Sequence, residues 1–184
     1  MKLILASGSP RRKELLSNLN IPFDIIVADI DESIDHSIPL RKEIERLSYE
    51  KAYAVFKDHE DSTVIGSDTI VTLNEKHLGK PKNEEDAFNM LKELQNNKHA
   101  VITAVSIISK DKVDTFSVVS DVYFNEMSDE EIREYIKTGE PMDKAGAYAI
   151  QGIGSKFIKK IDGDYYAIMG LPVSEVYNKL KEYK

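Results

Sequence analysis

The apolar positions of this chain change period several times, and each change marks an element. Leu3-Ile4-Leu5-Ala6 is an unbroken apolar run that stops at Ser7-Gly8-Ser9, which predicts a strand over 2–6. Leu15, Leu16 and Leu19 then recur at helical spacing, predicting a helix over 10–18. Phe23-Asp24-Ile25-Ile26-Val27 predicts a strand over 23–28 that runs into the acidic residues Asp29, Asp31 and Glu32. Ile44, Leu47 and Val55 share one face of a helix over 40–57. Residues 63–73 are β-branched and read as a strand. Asn83 caps a helix through 95, with Glu84, Glu85 and Asp86 in its first turn. Strands over 99–109 and 113–125 flank Lys110-Asp111-Lys112 as a hairpin. Ser128 and Glu131 form a capping box for a helix through 137. The Gly- and Ala-rich segment 144–155 reads as a loop. Asp162-Gly163 reads as a hairpin turn between strands over 156–161 and 164–169. A last helix fills 173–182. Alternation followed by hairpins predicts a mixed sheet in an α/β or α+β fold. No repeat or linker interrupts it, so 1–184 is read as a single domain.

Several polar residues break these patterns. Ser9 is a good N-cap and Pro10 suits the first helical position, but Arg12 stands where a capping box would place an acid. A cation there opposes the helix dipole at a cost of about 0.3–1 kcal/mol. At 100° per residue Arg12 also points with Leu15 and Leu19. A bound anion resolves both oddities, because free N–H groups, serine hydroxyls and guanidinium forks make a phosphate cradle. The plain alternative is a pair of solvated arginines, Arg11 and Arg12. Lys51 falls inside the apolar stripe of its helix, where it either snorkels or meets a buried anion. Asp68 interrupts a strand that is apolar on both faces, so it is expected to be paired, metal-bound or catalytic. Asp121 repeats that situation more weakly. Gly66 weakens the packing of its strand and marks close backbone approach by a ligand. Lys80 precedes Pro81 and is extended in a loop, placed to reach a cleft or simply solvated. Residues 143–154 look like backbone laid against something flat, with Tyr148 to stack on a base and Gln151 to hydrogen-bond it; a mobile surface loop is the alternative.

Composition narrows the chemistry. The chain is 41% hydrophobic with a formal net charge of −7, which argues against a nucleic-acid partner but not against a small anion in a locally basic site. No run is long enough for a membrane span. The N-terminal apolar run is a first strand and not a signal peptide, so a cytoplasmic location is expected. With no cysteine there is no thiol nucleophile and no thiolate metal site. The four histidines are scattered, so any metal is a hard one held by carboxylates and substrate oxygens. No P-loop or dinucleotide fingerprint is present.

The sequence resembles the Maf-type nucleoside triphosphate pyrophosphatases, once called septum formation proteins. The resemblance covers nearly the whole chain and rests on Ala6-Ser7-Gly8-Ser9-Pro10-Arg11-Arg12, the Lys51 helix, Gly66-Ser67-Asp68-Thr69, Gly79-Lys80-Pro81, the run from Asp143 to Gly152, and Gly163-Asp164-Tyr165-Tyr166 with Gly170-Leu171-Pro172. It implies an elongated mixed sheet flanked by helices, two lobes sharing that sheet with a central cleft, and a homodimer. It implies hydrolysis between the α- and β-phosphates of a nucleoside triphosphate, giving monophosphate and pyrophosphate. Asp-Thr at 68–69 and Gln151 match the family's dTTP/UTP branch, whereas a branch acting on 7-methyl-GTP carries Asp-Gln. Ala149 stands where many members have glycine.

On that resemblance Asp68 is the catalytic base, and Glu32, Asp68 and Asp121 hold a divalent metal, Mg²⁺ first with Mn²⁺ or Co²⁺ as substitutes. Arg12, Lys51 and Lys80 neutralise the phosphates, Ser7 and Ser9 add hydroxyls, and Arg12, Thr69 and Gln151 set base choice. Arg11 holds the loop through an ion pair. The competing readings are a pyrophosphatase for damaged purine nucleotides such as ITP, and a non-catalytic nucleotide-binding regulator of cell division.

Overall fold

The computed structural model describes residues 2–183. One seven-stranded sheet runs in the order β2-β1-β3-β5-β6-β7, with β4 paired to β3. Its strands are β1 (Leu3–Leu5), β2 (Phe23–Ile25), β3 (Thr63–Leu73), β4 (Lys76–Leu78), β5 (Lys98–Ile108), β6 (Val113–Phe124) and β7 (Ile158–Asp162). β1 pairs in parallel with β2 and β3, while β4 on β3 and β7 on β6 are antiparallel, so the sheet is mixed. The helices are α1 (Pro10–Ser17), α2 (Leu40–Phe56), α3 (Glu84–Leu94), α4 (Asp129–Lys137), α5 (Tyr165–Met169) and α6 (Val173–Leu180). The α/β class expected from the pattern is the class observed. No helix among the described residues is long and apolar enough to cross a membrane.

The chain divides into two compact units. The first comprises the residues up to Thr69, Thr103–Val118 and the segment from Gly170; the second comprises Ile70–Ile102 and Val119–Met169. In the first, Ile4 and Val64 of the parallel strands and Ala6 just past β1 pack with Ala52 and Val55 of α2 and with Ile108. The buried face of α2 is Glu43, Ile44, Leu47, Ser48, Lys51, Ala52 and Val55, a helical repeat that carries two charged residues into the interior. In the second unit, Val71, Leu73, Val101, Val122 and Phe124 meet Phe88, Leu91 and Leu94 of α3 and Ile132, Tyr135 and Ile136 of α4. Asn83 caps α3 above three acids, and Ser128 and Glu131 complete the capping box of α4.

Two expectations need correction, and one strand was not foreseen. Residues 164–169 are not a strand after a hairpin turn: Asp164 Oδ1 accepts from the N–H groups of Tyr166 and Ala167 and starts α5. Gly163 does turn the chain, at φ 140°, directly after β7. β4 went unforeseen because its turn is Asn74-Glu75, both at positive φ, and a glutamate is a poor signal for that geometry. Segment 144–155 is no mobile surface loop. It contains tight 3₁₀ turns at Ala145–Ala147 and Ile153–Phe157, and Gly146 to Ile150 are buried.

Candidate active site

The first unit gathers most of the residues singled out in the sequence. Two residues past β1 stands Ser7, whose hydroxyl accepts from the Ser9 N–H at 3.2 Å, and Ser9 Oγ caps α1 by accepting from the Arg12 N–H at 3.4 Å. The Arg12 side chain turns inward, as its helical position predicts. Its Nε donates to Gly170 O at 2.9 Å, Nη1 to Ser7 Oγ at 3.4 Å and Nη2 to Thr69 Oγ1 at 3.1 Å. Gly170 carries φ 128°, and a Cβ there would lie 3.4 Å from Arg12 Nε, so glycine lets its carbonyl come this close. These partners are neutral oxygens and leave the positive charge to act on an anion. Burial lowers the guanidinium's pKa; Asp68 and Glu32 oppose that shift and Arg11 adds to it.

Lys51 does not snorkel. It is 7% exposed, and its Nζ lies 2.6 Å from Asp68 Oδ1 and 3.1 Å from Glu32 Oε2. The structural partner foreseen for Asp68 is therefore Lys51 itself, and both carboxylates converge on one ammonium. Gly66, read as a point of ligand approach, instead faces α2: a Cβ there would collide with Ser48 O and lie 2.6 Å from Ala52 N. That close packing brings Lys51 against Asp68, midway along β3. Thr69 Oγ1, read as a base selector, is shared between Arg12 and Thr103 Oγ1 at 2.9 Å. Its observed contacts orient Arg12.

Sequence reasoning missed what ties down the segment that follows Glu32. Glu43, fully buried, accepts from the Asp35 N–H at 2.9 Å and from Arg46, and Arg46 Nη2 donates to Ser33 O at 3.3 Å. The hydrogen bond from Arg46 holds the Glu43 carboxyl below its usual pKa against the cost of burial. The signal was present as an acid in the buried stripe of α2, overlooked beside Lys51.

In the second unit, Lys80 is exposed beside Gly79, whose carbonyl accepts from the Gly146 N–H at 3.1 Å. Gln151 is exposed as well. Tyr148 is not available to stack on a base. It is buried, edge-on to Phe124, with its hydroxyl 2.6 Å from His99 Nε2. Asp121 is engaged by Lys98 Nζ at 3.1 Å. Among the described residues no group of three or more His, Cys, Asp and Glu that could hold a metal is found; of the expected ligands, Glu32 and Asp68 belong to the first unit and Asp121 to the second.

A family model described as Maf-like protein matches residues 2–183. The chain belongs to the Maf-like family. A Bacillus velezensis protein named dTTP/UTP pyrophosphatase is 47% identical over 182 residues, covering 99% of this chain and 96% of that protein. A Bacillus cereus protein of the same name is 48% identical over 182 residues, covering 99% and 95%. Among solved structures, the Staphylococcus aureus Ham1 protein superposes with a TM-score of 0.59 over the whole of both chains at 15% identity, a likeness of fold.

The divalent metal expected for a Maf-like chain can be tested against the donor set. Glu32 Oε2 and Asp68 Oδ1 both approach Lys51 Nζ, so two carboxylates reach one locality. Mg²⁺ commonly takes one or two carboxylates and completes its shell with waters and substrate phosphate oxygens. The residues of the first unit fit that pattern.

Proposed function

We propose that this Maf-like chain hydrolyses dTTP and UTP to the monophosphate and pyrophosphate, with Asp68 as the base. The observation that carries the reading is the pairing of Asp68 and Glu32 with a buried Lys51, in the unit where Arg12 presents an inward guanidinium hydrogen-bonded to neutral oxygens. The names of its relatives support the substrate class.

Asp68 orients a water and accepts its proton as the water oxygen bonds to the α-phosphorus. The bond from that phosphorus to the α–β bridging oxygen breaks, and its electron pair leaves with pyrophosphate. Arg12 and the exposed Lys80 bind the phosphates and neutralise the charge that grows on the leaving group. Ser7 Oγ and Thr69 Oγ1 fix two edges of the Arg12 fork. Lys51 holds the Asp68 carboxylate in place. Glu32 and Asp68 would hold Mg²⁺, which supplies charge to the phosphate oxygens when bound. Gln151 offers an amide donor and acceptor to the O4 and N3–H of a pyrimidine. A homodimer in the cytoplasm, without nucleic acid, extends the proposal; the family resemblance supports the dimer and the net charge of −7 supports the absence of nucleic acid.

The test is hydrolysis of a panel of nucleoside triphosphates in oxygen-18 water with Mg²⁺. The reading expects pyrophosphate from dTTP and UTP, with the label in the monophosphate. Label in pyrophosphate, release of orthophosphate, or preference for ITP would overturn it. Tight binding with no turnover would favour the regulator.

A further inference from the structure

The exposed Gln151 is flanked on both sides by backbone tied to one pair of side chains, Glu140 and Tyr135. Glu140 opens the 3₁₀ turn Glu140–Asp143, which follows α4 through Gly139 at φ 78°. Its Oε1 accepts from the Ile153 N–H at 2.8 Å, and its Oε2 accepts from the Gly154 N–H at 2.9 Å and from the Tyr135 hydroxyl at 2.5 Å. The Tyr135 hydroxyl in turn accepts from the Ala149 N–H at 3.2 Å. Ala149, Ile153 and Gly154 thus hang from a two-residue node with Gln151 between them. The node leaves no space for side chains: a Cβ on Gly152 would overlap the Glu140 carboxylate, and one on Gly154 would lie 2.5 Å from the Tyr135 hydroxyl. An ionised carboxylate is acceptor-only at both oxygens, which is what three converging donors require. Burial raises the Glu140 pKa, but the hydrogen bonds from Tyr135, Gly154 and Ile153 outweigh it and leave the carboxyl below its ordinary value.

We infer that Glu140 and Tyr135 are positioning residues that hold Gln151 for the base and so set the preference for pyrimidine over purine nucleotides; the inference rests on the base-reading role of Gln151 proposed above. In Glu140→Gln one amide N–H must face a backbone N–H, and in Tyr135→Phe the link to Ala149 is lost, so Gln151 loses its fixed placement in both.

The experiment compares Glu140→Gln, Tyr135→Phe, Gln151→Ala and the Glu140→Gln/Gln151→Ala double variant, well below their unfolding temperatures, with dTTP and ITP as substrates. Each single variant is expected to raise KM for dTTP about tenfold, with kcat changed less than about threefold, and to narrow the dTTP-over-ITP preference. The double variant is expected to match Gln151→Ala alone. Lower thermal stability with wild-type KM and preference in Glu140→Gln and Tyr135→Phe would overturn the inference, as would effects that multiply in the double variant. An unchanged KM in Gln151→Ala would instead overturn the base-reading role beneath it. Should Glu140→Gln fail to fold, Tyr135→Phe and its double variant with Gln151→Ala carry the same comparison.

Discussion

Lys51 Nζ lies 2.6 Å from Asp68 Oδ1, an ion pair formed across the tight contact between α2 and β3 and largely shut off from solvent. Breaking such a pair by removing one partner leaves a nearly buried charge, at a cost of about 3–5 kcal/mol. Lys51→Met is therefore expected to lose both activity and several degrees of melting temperature. Adding Asp68→Asn to Lys51→Met should restore most of the stability and none of the turnover. A thermal-unfolding double-mutant cycle reads the first result, and pyrophosphate release the second. Additive stabilities in the cycle would show that the pair is not coupled.

Arg12 sends its three nitrogens to three acceptors, Gly170 O, Ser7 Oγ and Thr69 Oγ1. Arg12→Lys keeps the charge but cannot reproduce the fork, so it should recover little of the activity lost in Arg12→Ala. Helix-dipole reasoning alone makes Arg12→Ala neutral or stabilising. The hydrogen bonds change that expectation to a small loss, about 1 kcal/mol, because Ser67 Oγ still donates to Gly170 O. Steady-state kinetics beside thermal unfolding check both statements; an Arg12→Lys enzyme with wild-type kcat/KM would contradict the fork.

Gly66→Ala should be severely destabilising, by about 3 kcal/mol or more, since backbone atoms of Ser48 and Ala52 and not a flexible side chain occupy the Cβ position. Chemical denaturation measures this. A midpoint shift equivalent to under about 1 kcal/mol would mean that α2 and β3 can separate at little cost.

His99 is 2% exposed, and its Nδ1 is a buried atom without a hydrogen-bond partner. Burial pushes its pKa from 6.5 down to about 4, opposed by the charge of Asp121. Between those values the unfolded chain binds the extra proton and the folded chain does not. Stability should thus rise with pH from about 4, level off above about 6.5, and fall as acid is added through that window, with His99 contributing on the order of 3 kcal/mol across it. Denaturation midpoints across the window should lose this part of their slope in His99→Phe. An unaltered slope would show that the histidine is not kept neutral.

How much of this could be read before the fold was known depended on whether a residue's partners were local. The strand, turn and helix at Ser7–Arg12 were legible because N-cap chemistry and helical phase are properties of a few consecutive residues. Lys51 and Asp68 stood out as charges in apolar patterns, yet nothing in the sequence says that they answer each other across 17 positions. Tyr148 was misread because an aromatic in a small-residue run has the same local signature whether it faces a ligand or, as here, His99 and Phe124. Asp164 was read as the far side of a hairpin because Asp-Gly signals a turn without specifying whether a strand or a helix comes after it. Glu140 gave no signal at all, since its work is done on N–H groups 13 and 14 residues away.

The central claim, that Asp68 serves as the base for hydrolysis at the α-phosphorus, is tested most directly by the rate of pyrophosphate release from dTTP with Mg²⁺ by wild type and Asp68→Asn, each first shown to be folded and to bind nucleotide. The account predicts one pyrophosphate per monophosphate from wild type and a loss of about a thousandfold in kcat for the variant. Turnover by Asp68→Asn within about tenfold of wild type would contradict it, because an amide cannot accept the water's proton.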